Sequence, residues 1–173
     1  GGESTALMQS VEGKRPFPKA QPPHSSQYGL WGKPTVLNNA ETWATVPKII
    51  EKGSDWYAGM GNENANGCKV WAISGNIKYN GLMELDMKTT FQEAIDDYCG
   101  GIQKKKPLKV VHVGGVTGGF LPPEKANTPT DYESLLEAGV LMGQASFAAY
   151  DDSACVIDLA KFSIGFNEGE TCG

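Results

Sequence analysis

The chain has 173 residues, of which 40% are hydrophobic, and it carries a formal net charge of −5 at pH 7. This length permits one ordinary domain or two small ones. The acidic balance argues against a protein that binds nucleic acid, because such proteins carry basic surfaces. The sequence has no apolar run that approaches the roughly 20 residues needed to span a bilayer, so we expect no direct insertion into a membrane.

The first third of the chain is predicted to hold helices and one long loop. Apolar residues at helical spacing predict a helix over residues 4–11, and four prolines within residues 14–28 indicate an extended surface loop. A second helix is predicted over residues 39–51, where Pro47 either kinks the helix or begins a new one. A further short helix is predicted to start at Ser54.

Two consecutive asparagines, Asn38 and Asn39, precede the second helix. Asn38 lies three residues before Glu41, which is the spacing of a capping box. Asparagine side chains carry both a donor and an acceptor. Beside the free backbone N–H groups of a helix start, the pair could also bind a polar heteroaromatic ring or an anion. From the residues alone, both a simple cap and a binding site remain open.

The central part of the chain reads as a hairpin, a helix and a strand, an order typical of a β-grasp (ubiquitin-like) unit. Runs of β-branched and aromatic residues indicate the strands, and Asn-Gly is a hairpin turn signal. A capping box and a pair of glycines mark the two ends of the helix. The predicted strands cover residues 69–74, 82–85 and 108–113, with a turn at Asn80-Gly81 between the first two. The helix is predicted to open with the Thr90–Glu93 capping box, to run to about Tyr98 and to be terminated by Gly100-Gly101.

The last third begins with a Gly- and Pro-rich loop over residues 114–129. Thr130 and Glu133 have the spacing of a capping box for a helix over 131–138. A strand over 145–150 is expected to return to the first part of the chain. A final helix is predicted to begin at Ser153, and the side chains at helical spacing on one of its faces are Cys155, Leu159, Phe162 and Phe166.

The cysteines show no local spacing typical of metal ligands. Cys68, Cys99 and Cys155 are interpreted as small buried hydrophobic residues, and the fourth is Cys172. His112 lies in the middle of a predicted strand without an acidic or thiol neighbour, so we interpret it as structural.

Five ordered blocks of the sequence form a recognisable set. They are GESTAL (2–7) with VEGK (11–14), GLWGKPTVLNNAET (29–42), ISG (73–75) with Gly81, VGGVTGGFLP (113–122) and FNEGETCG (166–173). These blocks resemble the NADH-oxidising flavoprotein subunit of respiratory complex I and the diaphorase subunits of NAD(P)-linked hydrogenases and formate dehydrogenases. The resemblance covers essentially the whole chain and implies a central-to-C-terminal fragment of such a protein. The absence of an initiator Met and the stop within the last block agree with that expectation.

The resemblance implies an α+β fold class. We expect part of an α/β FMN-binding domain, an inserted β-grasp unit of the SLBB type, and the first helix of a C-terminal iron–sulfur helical domain. The implied boundaries are 1–62 for the C-terminal part of the FMN-binding domain, 63–115 for the β-grasp unit, 116–152 for a segment returning to the FMN domain, and 153–173 for the start of the iron–sulfur domain.

The resemblance also implies cofactor contacts. Ser4 and His24 are candidates for NAD(P)H, because they stand where the family has a second Glu and a Phe against the nucleotide, and this departure leaves NADPH open beside NADH. The alternative for Glu3 is a plain helix N-terminal charge. Ser4 is equally an N-cap, and His24 is equally an exposed loop residue. The residues implied for FMN are Gly2, Glu3, Asn38, Asn39 and Thr42.

Cys172 matches the first ligand of the family's [4Fe-4S] cluster. Such a cluster needs four thiolates, and the other three would lie beyond Gly173.

The activity implied for the parent protein is that of an NAD(P)H dehydrogenase, which passes a hydride to FMN and electrons to iron–sulfur clusters. Its partner would be an iron–sulfur subunit of a complex I, hydrogenase or formate dehydrogenase assembly. The implied location is the cytoplasm, or the cytoplasmic face of the inner membrane through such a complex. We expect the fragment itself to be inactive and to retain no cofactor, because the family's glycine-rich FMN loop lies upstream.

The alternative function is a non-catalytic β-grasp module that binds a ligand or docks a subunit. In that case the Asn pair is only a cap. The parent reading frame separates the two hypotheses, because only the enzyme needs an upstream flavin loop and a downstream cysteine run.

Overall fold

A computed structural model of the chain describes residues 2–170. These residues form two compact units, one up to Glu51 and one from Lys52 onward. The α-helices of the described part are α1 (Ser4–Val11), α2 (Ala40–Lys52), α3 (Ser54–Ala58), α4 (Phe91–Glu93), α5 (Tyr132–Ala138) and α6 (Val156–Glu170). Its strands are β1 (Cys68–Gly75), β2 (Gly81–Asp86), β3 (Leu108–Val113), β4 (Gly119–Leu121) and β5 (Ser146–Asp151).

The helices of the first third are confirmed. Helix α1 has the predicted bounds, and α2 is shifted by one residue and runs without interruption through Pro47. The predicted helix start at Asn38 is one residue too early. The carbonyl oxygen of Asn39 accepts the hydrogen bond of the Trp43 N–H at 3.1 Å, so Asn39 is the residue directly before the helix.

The five strands form one sheet in the order β2-β1-β5-β3-β4. Strands β1 and β5 run parallel, and every other neighbouring pair is antiparallel. The mixed α/β character of the chain is therefore confirmed. Strand β5 was expected to return to the first part of the chain, and that expectation is wrong, because β5 lies between β1 and β3.

Two segments that were predicted as a turn and a loop contain strand residues of the sheet. The Asn80-Gly81 dipeptide is not a two-residue turn, since Gly81 is the first residue of β2 and pairs with Ile73. The loop predicted over 114–129 contains β4, which pairs with β3. Strands from both sides of the expected boundary at residue 115 thus share one sheet.

The main core lies on one face of the sheet and is dominated by three aromatic rings. Trp71, Phe91 and Phe147 are almost fully buried. The Phe91 ring stands edge-on to the other two, with ring centroids 5.7 Å from Trp71 and 5.2 Å from Phe147. Such edge-to-face pairs stabilise a core beyond the apolar area that they bury. Residues 91–99 supply the layer that packs against this face.

The helical segment after β2 begins as the sequence predicts. The Thr90 hydroxyl accepts from the Glu93 N–H, and the Glu93 carboxylate accepts from the Thr90 N–H, so the capping box is confirmed. After one turn the segment widens into a π-helix over Ala94–Tyr98. The predicted glycine end is also confirmed, because Gly100 and Gly101 both have positive φ angles, which glycine adopts without a steric penalty.

Helix α5 is capped by a different residue from the one predicted. The Asp131 carboxylate accepts from the Ser134 N–H at 2.8 Å and its hydroxyl at 2.7 Å, and from the Asn62 side-chain amide at 2.8 Å. Thr130 is fully buried, and its hydroxyl donates to the Met87 carbonyl. Burial acts to raise the pKa of Asp131, but the hydrogen bonds from Ser134 and Asn62 outweigh it and lower that pKa.

Helix α6 begins at Val156, three residues later than predicted. The Asp151 carboxylate binds the N–H and the hydroxyl of Ser153, and these bonds form a turn before the helix. Its predicted apolar face is only partly covered, because Leu159 is half-buried while Phe162 is 62% exposed. None of the described helices combines the length and the apolarity that a membrane crossing requires.

Of the three described cysteines, one fits the interpretation as a buried hydrophobic residue. Cys99 is buried in the core, and burial raises the pKa of its thiol. Cys155 is exposed and Cys68 is half-buried, so for these two the interpretation is wrong. Cys68 is the first residue of β1 and Cys155 directly precedes α6, and these element ends lie near the surface.

We expect Asp131→Ala to lower the free energy of unfolding by about 2 to 3 kcal/mol, because it removes a helix cap and leaves two polar partners without an acceptor. Urea denaturation at pH 7 measures the change. Glu133→Ala is the matched control, since Glu133 is exposed and not the cap, and it should cost less than about 0.5 kcal/mol. Equal losses in both variants would contradict the assignment of the cap to Asp131.

Candidate functional site

The N-terminal unit contains a cavity of about 430 Å³, which we call the α1 cavity. It lies between α1, the loop over residues 14–28 and the turn that follows this loop. The side chains that bear on its chemistry are Thr5, Gln9, Glu12, Lys14, Tyr28 and Trp31.

Two polar residues of α1 hold the proline-rich loop against the helix. The Thr5 hydroxyl donates to the Glu3 carboxylate and accepts from the Lys19 N–H at 2.8 Å. The Gln9 side-chain amide donates to the Phe17 carbonyl. Thr5 and Gln9 are both buried, so the loop is fixed by hydrogen bonds that little solvent reaches.

Glu12 fixes the far wall of the α1 cavity. One carboxylate oxygen accepts from the Trp31 N–H at 2.7 Å, and the other accepts from the Lys14 ammonium at 2.6 Å. The hydrogen bond from Lys14 and then the one from the Trp31 backbone lower the pKa of Glu12, so the carboxylate is ionised at neutral pH. Trp31 has a left-handed backbone with φ of 49°, an unusual conformation for a residue other than glycine.

The turn that carries Trp31 is built on Thr35. Its hydroxyl accepts from the Leu30 N–H and donates to the Lys33 carbonyl, both at 2.9 Å. Gly29 lies so close to this residue that an added Cβ would be 2.5 Å from the Thr35 side chain. Glycine is therefore required at position 29 by close approach, and the Gly-Leu-Trp-Gly motif is a structural turn.

The α1 cavity combines two kinds of recognition group. Lys14 is paired with Glu12, and Lys19 leaves the lining with a net positive charge. The exposed rings of Tyr28 and Trp31 supply aromatic faces. Aromatic faces can stack on a flat heterocycle, and lysine binds phosphate as a point charge. The arrangement is thus suited to an anionic ligand that carries an aromatic ring.

Three of the residues predicted to contact FMN or NAD(P)H lie at the start of α1. Glu3 is the N-cap of α1, and its Oε2 atom accepts from the N–H groups of Thr5 and Ala6 at 2.9 and 3.0 Å. The hydrogen bond from the Thr5 hydroxyl is the main cause that lowers the Glu3 pKa. Ser4 is the first residue within the helix, so its alternative reading as the N-cap is wrong. Gly2 is exposed just before the cap.

His24 lies in the loop and is exposed, and its Nδ1 atom is 2.9 Å from the side-chain oxygen of Gln21. Asn38, Asn39 and Thr42 are all exposed at the start of α2. These residues lie at a helix N-terminus, where backbone N–H groups favour an anion.

Sequence reasoning missed the residues that line the α1 cavity. Within the part of the chain that the structure describes, its lining includes none of the seven residues predicted for flavin or nucleotide. Glu12, Lys14 and Trp31 do lie in two of the motif blocks quoted above, so their membership in those blocks was an available signal. The contact between Glu12 and Trp31 spans 19 residues, and no local pattern encodes it.

Cys172 lies outside the described residues. Among residues 2–170, no group of three or more His, Cys, Asp or Glu side chains is placed to hold a metal ion.

The chain is similar over 99% of its length to components of two kinds of oxidoreductase. It is 42% identical to the NADP-reducing hydrogenase subunit HndC of Solidesulfovibrio fructosivorans. It is 38% identical to a component of the NADH-quinone oxidoreductase of Rhizobium meliloti and to one of the NADH-quinone oxidoreductase of Buchnera aphidicola. The chain spans 35%, 41% and 39% of the length of these three relatives, respectively. No protein-family model matches the chain.

The fold has a counterpart in an NAD+-reducing [NiFe]-hydrogenase. The chain superposes on its air-oxidised state with a TM-score of 0.83 at 27% identity, and on its H2-reduced state with a TM-score of 0.82. The match covers 99% of this chain and 29% of the chain in the air-oxidised structure. The resemblance to subunits of NADH-quinone oxidoreductases and of NAD(P)-linked hydrogenases is therefore confirmed.

We expect Glu12→Gln to lower the thermal unfolding midpoint at pH 7, because the amide cannot hold Lys14 and the Trp31 turn as the carboxylate does. Glu51→Gln is the matched control, since Glu51 forms an exposed ion pair with Lys48. Exposed pairs of this kind contribute little.

The difference between wild type and Glu12→Gln should depend on pH. The folded-state pKa of Glu12 is lowered from its ordinary value of 4.5, so its stabilisation is present above that value and is lost as the pH falls through the lowered pKa. Melting curves between pH 7 and pH 3 measure this loss. A difference that is constant over the whole range would rule out the ionised carboxylate as its cause.

Proposed function

We propose that the chain is the segment of an NAD(P)H dehydrogenase that contributes to its flavin and nucleotide sites. The parent protein would take a hydride from NAD(P)H onto FMN and pass electrons to iron–sulfur clusters. The α1 cavity is the observation that carries this proposal, because it joins lysine charge and aromatic faces in the unit that bears the predicted cofactor residues. The similarity to oxidoreductase components over 99% of the chain supports it.

The described residues fit an FMN contact at the start of α2. Asn38, Asn39 and Thr42 present amide and hydroxyl groups to solvent at the N-terminus of a 13-residue helix. Amide groups suit the polar edge of a flavin, and a helix start suits its phosphate. When bound, FMN supplies two-electron chemistry with the nicotinamide and one-electron chemistry with clusters, and these side chains would orient it.

Glu3 and Gly2 would complete the flavin contact from α1. The three hydrogen bonds that cap α1 all end on Oε2 of Glu3. They hold the carboxylate ionised and in a fixed orientation, so Oε1 can accept a hydrogen bond from a ligand without uncapping the helix. Cap and flavin contact are compatible roles for this residue.

The nucleotide would lie along the α1 cavity and the adjoining loop. Ser4 and His24 remain the candidates implied by the family, and the cavity adds Lys14, Lys19 and Trp31 to them. We infer that the lysines bind the phosphates of NAD(P)H and that Trp31 stacks on one of its rings. Cys172 would be the first ligand of a [4Fe-4S] cluster in the parent.

We further propose that the sheet is a β-grasp unit of the SLBB type. Its strand order, its single parallel pair and the helical segment over one face support this assignment. Since β4 and β5 belong to the same sheet, the unit would extend to about residue 151 rather than 115. The segment up to residue 62 would belong to the FMN domain, and α6 would begin the iron–sulfur domain.

The parent would act in the cytoplasm with an iron–sulfur partner subunit. Relatives named as subunits of a quinone oxidoreductase and of a hydrogenase support a multisubunit assembly.

We expect Thr42→Ala, and the double variant Asn38→Ala with Asn39→Ala, to weaken FMN binding in the full-length gene product. One lost hydrogen bond corresponds to about threefold to tenfold in the dissociation constant, and the double variant to about tenfold to a hundredfold. Thr45→Ala is the matched control, because the Thr45 hydroxyl donates to the Glu41 carbonyl of the same helix. Flavin content after dialysis, read from absorption, measures the effect. Full flavin retention in the double variant would contradict the proposed contact.

We also expect the isolated 173-residue chain to bind FMN weakly or not at all and to show no diaphorase activity, because the family's flavin loop is not among its residues. A fluorescence titration of FMN measures binding, since a flavin that enters a protein site changes its emission. Tight, saturable binding would refute this expectation.

A further inference from the structure

The sheet has a second face, opposite the aromatic core, and a cleft of about 500 Å³ lies on it. The residues that form its floor alternate with core residues along the strands, as side chains of a pleated strand must. The floor consists of Ala72 and Ser74 of β1 and Ser146 and Ala148 of β5. Because Ala72 pairs with Ser146 and Ser74 with Ala148, four small side chains meet at the centre of the sheet.

Larger side chains surround this floor. Leu82 of β2 pairs with Ala72 on one side, and His112 of β3 pairs with Ala148 on the other. Helix α6 contributes Leu159 and Phe162 to the lining. The cleft therefore arises from sequence, since small residues occupy the middle strands and bulky residues the positions around them.

The lining of the cleft carries no formal charge. None of its described residues is Lys, Arg, Asp or Glu, and its polar groups are serine, glutamine, tyrosine and histidine side chains. An ion moved into such surroundings loses hydration without gaining a counter-ion. The lining therefore favours an uncharged ligand over nucleotides and other phosphate compounds.

His112 supplies a polar group that requires a partner. It is 9% exposed, and its Nε2 atom is buried without a hydrogen-bond partner among the described residues. Its ring stacks on Phe120 with a centroid distance of 4.3 Å and an interplanar angle of 19°. A buried polar atom left without a partner is costly, and native structures rarely retain one without a reason.

Burial lowers the pKa of His112, although a hydrogen bond with the Gly118 backbone opposes the shift. The ring is therefore neutral at pH 7, and a neutral imidazole has one nitrogen that donates and one that accepts. Because this bond raises the pKa, the ring donates in it from Nδ1 to the Gly118 carbonyl, so Nε2 of the neutral ring is the acceptor. A ligand hydroxyl would donate to it.

We propose that this cleft is a binding site for an uncharged aromatic molecule that carries one hydroxyl group, with the hydroxyl bonded to His112. The flat floor of alanine and serine side chains and the Phe162 ring suit a planar ring system. The volume is within the range of small-molecule sites in proteins. The proposal adds a ligand contact to the structural role predicted for His112, whose ring is buried and stacks on Phe120.

The test uses 2-naphthol as the probe, with 2-methoxynaphthalene and naphthalene-2-sulfonate as matched compounds that lack the hydroxyl or carry a charge. The chain has two histidines, so NMR of the imidazole nitrogens reports His112 separately from His24. We expect 2-naphthol to shift the His112 signals saturably and to leave His24 unchanged. The methoxy compound should bind at least threefold more weakly, and the sulfonate at least tenfold.

Two variants locate the site. His112→Phe keeps a ring against Phe120 and removes both nitrogens, so 2-naphthol affinity should fall about fivefold to tenfold while that of 2-methoxynaphthalene is unchanged. Phe162→Ala should weaken both compounds without affecting folding, because Phe162 is already 62% exposed on α6. Phe166→Ala on the same helix is the matched control, since Phe166 is not in the cleft lining, and it should change neither affinity. Thermal unfolding of each variant establishes that it is folded.

Three results would overturn the proposal. The first is the absence of a saturable His112 shift up to the solubility limit of 2-naphthol. The second is equal affinity for 2-naphthol in wild type and His112→Phe, or for the neutral and sulfonated compounds. The third is a shift of His112 that depends on protein concentration alone, which would identify a second copy of the chain as the occupant. None of these results depends on whether the chain contributes to an FMN site.

Discussion

The parallel pairing of β1 with β5 is the constraint on which the larger unit depends. The β1–β2 hairpin and the β3–β4 pair are separate two-stranded pieces, and β5 is the strand that joins them. Two-stranded pieces are marginal in water. The aromatic core needs the same strand, because Phe147 of β5 closes the group formed with Trp71 and Phe91. More than 70 residues separate the paired segments in sequence (Ala72 and Ser146), so the pairing carries a loop-closure cost that local contacts alone do not have.

The smaller unit is held together by a different kind of interaction. Among its described residues, Ala6 is the one hydrophobic side chain that is buried. Order comes instead from side-chain hydrogen bonds to the backbone, from Thr5 and Gln9 to the loop and from Glu12 to the Trp31 turn. Such bonds are directional, so they position exposed groups without requiring a core. The rings and ammonium groups around the α1 cavity are presented to solvent by this scaffold.

Local signals in the sequence predicted local structure well. The Thr90–Glu93 box, the glycine end after Tyr98 and the bounds of α1 are all decided by interactions within a few residues, and each is confirmed. Where two local signals compete, a contact with a distant residue decides between them. Thr130 and Asp131 both precede α5, and Asp131 is the cap because it also binds Asn62, which is 69 residues away.

Features that depend on distant contacts could not be predicted from pattern. The position of β5 between β1 and β3 and the contact of Glu12 with Trp31 belong to this group. The candidate residues at the start of α2 were identified through a family resemblance, and their exposure at a helix N-terminus is compatible with it. The α1 cavity could not be predicted from pattern either, because its walls come from three segments that no single motif joins.

The direction of the β1–β5 pair also has a mechanical consequence. Since the strands are parallel, the start of β1 at Cys68 and the end of β5 at Asp151 lie at opposite ends of the pair. A force that pulls these two points apart acts along the strands and loads their cross-strand hydrogen bonds together. If two antiparallel strands are instead pulled apart at adjacent ends, their cross-strand hydrogen bonds break one after another. The sheet would therefore resist a force directed along β1 and β5 much more than a force that peels β2 or β4 from its edge.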